Sequence, residues 1–83
     1  MQLNLRYFAA IREAIGTAGE QYETTASDLA GLRDELIARG APYTLALARG
    51  RAVRMALDQA LCEESAPLHA AAEVAFFPPV TGG

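Results

Sequence analysis

The chain has 83 residues and a net charge of −3, so a single domain is expected. Its 52% hydrophobic and 20% charged residues indicate a folded globule rather than a disordered segment. The acidic balance argues against nucleic-acid binding, which needs a basic patch. No apolar run has transmembrane length, no signal peptide is apparent, and the single Cys62 gives no internal disulfide, so we expect a cytoplasmic protein without a membrane partner.

Alternating side chains at the N-terminus predict an opening strand over residues 2–8, with three apolar side chains on one face: Leu3, Leu5 and Tyr7. Phe8 is then an aromatic residue on the opposite, polar face. A short helix is expected at 9–15. Residues 20–24 read as a second strand that pairs back on the first.

The main helix begins after Asp28, which is a good N-cap residue. Its apolar residues recur on one helical face: Leu29, Leu32, Leu36 and Ile37. The helix should end at Arg39-Gly40, where glycine suits the left-handed position after a helix. Gly31 inside it suggests close packing on the sheet.

The second half of the chain alternates short elements. A helical turn is expected within 43–48, and 51–57 alternates as a third strand. A short strand holds residues 61–62, after which 63–72 form a polar connection. Residues 73–77 are the last strand. This order favours an α+β protein of the β-grasp (ubiquitin-like) type.

In this arrangement a mixed sheet of about five strands carries one main helix. Its first and last strands lie centrally and parallel to each other. The domain is expected to span 1–77, and 78–83 is expected to form a flexible extended tail.

The tail sequence has a chemical meaning of its own. Pro78 and Pro79 fix φ and favour an extended chain, and the end then reads Val80, Thr81, Gly82 and Gly83. A tip without side chains can enter a narrow channel. Its terminal carboxylate is ionised at neutral pH and becomes an electrophile only after activation, for example as an acyl-adenylate made with ATP. Because the chain has no nucleotide-binding motif, a separate enzyme would perform this step.

Two segments resemble a known family. The end Glu73–Gly83 is similar to the C-terminal signature of the molybdopterin synthase small subunit, and 5–13 is similar to that family's first strand and turn. The resemblance implies a sulfur carrier in molybdenum cofactor biosynthesis. Gly83 would be adenylated, converted to a thiocarboxylate, and would donate sulfur as cyclic pyranopterin monophosphate becomes molybdopterin.

The resemblance also implies partners. These are the large synthase subunit, in a heterotetramer of two small and two large subunits, an adenylating enzyme related to ubiquitin activators, and a sulfur donor protein. It implies no cofactor or metal bound by this chain, since ATP is used by the activating enzyme. The partner-binding residues would be Phe8, Leu61, Phe77, Pro78, Pro79, Val80, Thr81 and Gly82. The protein would therefore not be catalytic alone.

Two positions depart from the family pattern. The turn before the last strand reads His69-Ala-Ala-Ala-Glu73 and lacks its usual glycine, and Asp58 replaces the usual asparagine. Both departures concern loop geometry. Cys62 is interpreted as a small, partly buried hydrophobic residue, and the lone His69 does not indicate a metal site.

Other functions stay open. The chain could carry sulfur for thiamin, cysteine or tRNA thiolation, could be a ubiquitin-like protein modifier joined to target lysines, or could be an interaction module with an inert tail. The acidic pairs Asp34-Glu35 and Glu63-Glu64 are interpreted as solvated faces.

Overall fold

A computed structural model describes residues 1–79. The elements in chain order are β1 (Gln2–Tyr7), α1 (Ala9–Ile15), β2 (Gly19–Glu23), α2 (Leu29–Ala38), α3 (Tyr43–Ala46), β3 (Arg54–Leu57), β4 (Ala60–Cys62) and β5 (Glu73–Phe77). Five strands form one sheet in the order β2-β1-β5-β3-β4. β1 and β5 are parallel interior strands, and the other pairs are antiparallel. The predicted β-grasp arrangement, with its mixed sheet and main helix, is confirmed.

The core lies between the sheet and the helices. Strand alternation sends one set of β1 and β5 side chains inward, and α2 covers them with leucines spaced three and four residues apart. These side chains are at most 1% exposed: Leu3, Leu5, Tyr7, Val74, Phe76, Leu29, Leu32 and Leu36. The predicted helix face is therefore confirmed, with Ile37 only partly buried at its margin.

Both ends of α2 follow the sequence signals. The Asp28 side chain accepts a hydrogen bond from the Gly31 amide at 2.8 Å, as an N-cap does. Gly40 follows the helix at φ +87°, where a side chain would be strained. The expectation that Gly31 packs on the sheet is wrong, because an added Cβ would instead meet Ala26 and the Asp28 carboxylate.

Several element boundaries differ from the prediction. β1 ends at Tyr7, and Phe8 is the extended N-cap residue of α1. β2 covers 19–23 rather than 20–24, α3 ends at Ala46, and β3 begins at Arg54 rather than at residue 51. β3 starts late because the Arg33 side chain donates hydrogen bonds to three carbonyl oxygens within residues 47–51. These residues are therefore held in a loop and do not pair in the sheet.

Three turn positions adopt positive φ without glycine. Asp58 and Gln59, at φ 50° and 70°, join β3 to β4 in a two-residue hairpin. Ala71 has φ 66° in the turn before β5, which lacks the glycine that is usual in the family the sequence resembles. Residues 63–72 were expected to form a polar connection, but two of them contribute to the core. Ala72 is fully buried, and Leu68 packs against the core.

Candidate functional site

β5 is the element that positions the C-terminal segment. It lies in the middle of the sheet, hydrogen-bonded to β1 on one side and β3 on the other. A chain leaving such a strand departs from the most firmly anchored part of the domain. Val80, Thr81, Gly82 and Gly83 lie outside the described residues, so the predictions for them stay predictions.

Pro78 and Pro79 are half-buried where the chain leaves β5. Pro78 lines a groove of about 190 Å³ together with side chains of α1 and α3, among them Ile11 and Ala46. Pro78 therefore forms part of the wall of this groove without joining the hydrophobic core. The base of the tail thus lies beside α1 and α3.

Phe8, Leu61 and Phe77 form what we call the apolar patch. Phe8 is 43% exposed and Leu61 is 61% exposed, whereas Phe77 is half-buried. Phe8 and Phe77 both follow the register pair Tyr7–Phe76, so they lie side by side where β1 and β5 end. The Phe8 amide also donates to the Phe76 carbonyl at 3.1 Å.

Leu61 belongs to the same sheet face. It pairs with Ala56 of β3, and Ala56 pairs with Ala75 of β5. Residues directly opposite in a ladder share a face. The structure therefore brings the three predicted side chains to the face of the sheet opposite α2, beside the base of the tail. Exposed apolar side chains grouped on a small domain indicate an interaction surface.

The hairpin turn between β3 and β4 is tied to the start of β5. The Asp58 carboxylate accepts the Glu73 amide at 2.9 Å and lies 2.5 Å from His69 Nε2. Hydrogen bonds to the carboxylate lower the pKa of Asp58, the largest coming from the Glu73 backbone. Hydrogen bonding to Asp58 raises the pKa of His69. Both groups are solvent-exposed, and their contact connects the β3–β4 turn to the loop before β5.

A second polar cluster surrounds Glu20 on β2. Its carboxylate accepts hydrogen bonds from Tyr7 at 2.8 Å, Tyr43 at 2.6 Å and Arg39 at 3.1 Å. Burial alone would raise the pKa of Glu20, but these donors outweigh it and lower that pKa below its usual value. Burial raises the pKa of Tyr7, so the phenol stays protonated. This cluster fastens α3 to the sheet.

Three of the four side chains in the acidic pairs, those of Asp34, Glu35 and Glu64, accept hydrogen bonds from other parts of the fold, which corrects their interpretation as solvated faces; Glu63 is exposed, as expected. Glu35 accepts hydrogen bonds from Tyr22, Thr24 and Thr25, and these bonds lower its pKa against the opposing effect of burial. Asp34 accepts from Arg49 at 2.8 Å. Glu64 contacts Arg33 and Arg49. Such contacts join residues distant in sequence, so helical periodicity gave no signal for them.

Arg33 is the least expected of these residues. It is 3% exposed, although its position in α2 next to Asp34 looks polar. Its Nε donates to the Leu47 carbonyl at 2.8 Å, its Nη2 to the carbonyls of Ala48 and Arg51 at 2.8 and 3.2 Å, and its Nη1 to Glu64. One guanidinium therefore shapes the loop that precedes β3.

Cys62 is half-buried against the core, and its thiol lies 3.2 Å from the Ala60 carbonyl, which agrees with the hydrophobic interpretation. Within residues 1–79, no group of three or more His, Cys, Asp or Glu side chains is arranged to hold a metal ion. None of the helices described there is long and apolar enough to cross a membrane.

A five-stranded sheet with central parallel β1 and β5, covered by one main helix, defines a ubiquitin-like β-grasp protein. The crystal structure of SAMP1 from Haloferax volcanii has the same fold, with a TM-score of 0.77, 18% identity and 100% coverage of both chains. The model of the ThiS family matches residues 5–83, and this chain belongs to that family.

Two further proteins are similar over nearly all of the chain. The molybdopterin synthase sulfur carrier subunit of Haemophilus influenzae is 37% identical over 81 residues, covering 98% of this chain and 99% of that protein. A chain in the complex of subunits 1 and 2 of molybdopterin-converting factor from Helicobacter pylori is 26% identical, with a TM-score of 0.68 and 100% coverage of both chains. The family resemblance inferred from the two end segments is confirmed.

Proposed function

We propose that this chain is the sulfur-carrying subunit of a molybdopterin synthase and that the Gly83 carboxylate is its reactive group. The main support is the placement of a Pro-Pro-Val-Thr-Gly-Gly segment directly after the central strand of a ThiS-family domain. The 37% identity to a molybdopterin synthase sulfur carrier subunit favours this pathway over thiamin, cysteine or tRNA thiolation.

The proposed chemistry has two steps outside this chain. In an adenylating enzyme, a carboxylate oxygen of Gly83 attacks the α-phosphorus of ATP and pyrophosphate leaves. A sulfide equivalent from a sulfur donor protein then attacks the acyl carbon, and AMP leaves with that oxygen. The product is a thiocarboxylate. Glycine suits this step, because its carbonyl carbon has no neighbouring side chain to obstruct attack.

The proposed partner is the large synthase subunit. Subunits 1 and 2 form a complex in the related Helicobacter pylori protein, which supports the same pairing here. The apolar patch of Phe8, Leu61 and Phe77 lies beside the base of the tail. Docking there would leave the segment after Pro79 free to extend into the partner, where sulfur passes to cyclic pyranopterin monophosphate.

Intact-mass spectrometry tests the proposed chemistry. The chain is expressed with and without an adenylating enzyme of the same organism, and a mass increase equal to replacement of oxygen by sulfur is expected only with it. A variant carrying one alanine after Gly83 is the matched control and should keep its unmodified mass. An unmodified wild-type mass in the presence of enzyme, ATP and sulfur donor would contradict the proposal.

The modifier alternative has a separate readout. If the Gly-Gly end were joined to target lysines, antibodies against the chain would detect higher-mass conjugates that disappear when Gly83 is deleted. The sulfur-carrier proposal expects free chain and thiocarboxylate without such conjugates. Molybdopterin formation in a mixture of the thiocarboxylated chain, the large subunit and cyclic pyranopterin monophosphate distinguishes the pathways.

A further inference from the structure

Two arginines lie on the same sheet face as the apolar patch. Arg54 is directly opposite Phe77 in the antiparallel β3–β5 ladder, and Arg6 is opposite Ala75 in the β1–β5 ladder. Opposite residues share a face, so both side chains project from the face that faces away from α2. Because β5 lies between their strands, the two backbones are about 10 Å apart across the sheet.

Arg54 forms no ion pair with the described residues of its own domain, although the exposed Glu63 lines the same cleft. Arg54 is exposed, and within residues 1–79 no carboxylate oxygen lies within 4 Å of its guanidinium. Glu63 and Glu64 line the same open cleft beside it. Glu64 is already shared by Arg33 and Arg49, so it is poorly placed to serve Arg54 as well.

Arg6 is only weakly compensated. Its Nη1 lies 3.8 Å from the Glu73 carboxylate, near the outer limit of an ion pair, and both side chains are solvated. The guanidinium also sits over the Phe8 ring, with its carbon 5.9 Å from the ring centre. Such a contact adds to the cation's packing on the patch without removing its charge.

Covering the patch would also cover these cations. The small side chains of Ala56 and Ala75 lie between the two arginines. A surface that contacts Leu61 and Phe77 therefore reaches both guanidinium groups. A cation that loses water without gaining a counter-charge costs several kcal/mol. A partner lacking acidic groups at these points would therefore be rejected even if its apolar side chains fitted.

We propose that Arg6 and Arg54 determine partner specificity, and that the protein surface covering the apolar patch carries carboxylates opposite both guanidinium groups. This inference rests on the proposed function, because it identifies the patch as the interface with the large subunit. It adds the chemistry of that partner, an apolar centre flanked by two acidic points about 12 Å apart, because Arg6 and Arg54 lie two strands apart and are offset by two residues along β5.

Titration calorimetry of the full chain with the large subunit of the same organism tests the inference. Arg54→Gln and Arg6→Gln should each weaken binding about 10-fold or more, and Arg54→Glu should weaken it further by like-charge repulsion. Wild-type affinity should fall as salt is raised, and the double glutamine variant should show a flatter salt dependence.

Arg39→Gln is the matched control. Arg39 lies at the end of α2, on the opposite side of the sheet from the apolar patch, where it pairs with Glu20. Its replacement changes the net charge equally and should alter affinity less than about twofold. Circular dichroism melting of each variant confirms that the fold is retained.

The outcomes separate the two proposals. If Phe77→Ala weakens binding while Arg6→Gln and Arg54→Gln bind as tightly as wild type, the specificity inference is overturned and the proposed function stands. An effect of Arg39→Gln as large as that of Arg54→Gln also overturns it, because only net charge would then matter. If wild-type chain neither binds the large subunit nor becomes thiocarboxylated, the proposed function itself fails.

Discussion

Replacing Arg33 by methionine should destabilise the domain strongly, although no apolar core side chain is lost. Methionine replaces the aliphatic stem of arginine as far as the position of Nε but donates no hydrogen bond. The carbonyl oxygens of Leu47, Ala48 and Arg51 each lose a hydrogen bond, and Ala48 alone keeps a second donor, the Arg51 amide. Glu64 keeps Arg49 as a partner, so its contribution to the loss is small.

The magnitude follows from the number of acceptors. Each of the three hydrogen bonds to a carbonyl contributes about 1 kcal/mol, which gives about 3 kcal/mol in total. A domain of this size has a free energy of unfolding of about 4–12 kcal/mol. The Arg33→Met variant should therefore fold, with a melting temperature about 15 °C lower, since 1 kcal/mol corresponds to about 5 °C here.

Urea unfolding monitored by far-ultraviolet circular dichroism measures the difference in free energy. Hydrogen exchange should also speed up in the 47–53 segment, because that loop loses its anchor. Arg12→Met is the control: Arg12 is exposed on α1, so its loss should change stability by less than about 0.5 kcal/mol. An Arg33→Met variant as stable as this control would refute the reasoning.

Three further predictions concern turns and close contacts. Ala71→Gly should raise the free energy of unfolding by about 0.5–1 kcal/mol in urea titrations, because φ 66° strains alanine; an equal loss would contradict this. Gly19→Ala should lower the melting temperature, since its Cβ would lie 2.5 Å from the Leu5 carbonyl oxygen. His69→Gln tests the bond to Asp58, which raises the histidine pKa above 6.5. Its stabilisation is therefore complete below about pH 6.5 and disappears as pH rises through the folded-state pKa, so wild type and variant should converge in melting temperature at alkaline pH.

Local patterns were sufficient to predict the framework of the fold. Alternation marked β1 and β5, and the leucine spacing with Asp28 and Gly40 marked α2, because these signals act within a few residues. Alternation also placed Phe8 opposite the core-facing side chains, whereas the grouping of Phe8 with Leu61 and Phe77 came from the family resemblance. The placement of Phe8 beside Phe77 required the parallel pairing of β1 with β5.

What could not be predicted depends on contacts across long sequence separations. Arginine is seldom buried, and nothing near Arg33 shows that the loop carbonyls of 47–51 will surround it. The start of β3 was misplaced for the same reason. Likewise, the bond between Asp58 and His69 spans two turns whose approach is set by the sheet. Single-sequence periodicity contains no such distances.

The central position of β5 also has a mechanical consequence. A pull on the chain beyond Pro79 loads the hydrogen-bond ladders to β1 and β3 together, in shear along the strand. Rupture then requires many bonds to fail at once, whereas an edge strand could be peeled away bond by bond. Under the proposed function, successive partners would bind and release the C-terminal end, and that end leaves the domain from a strand that resists extraction.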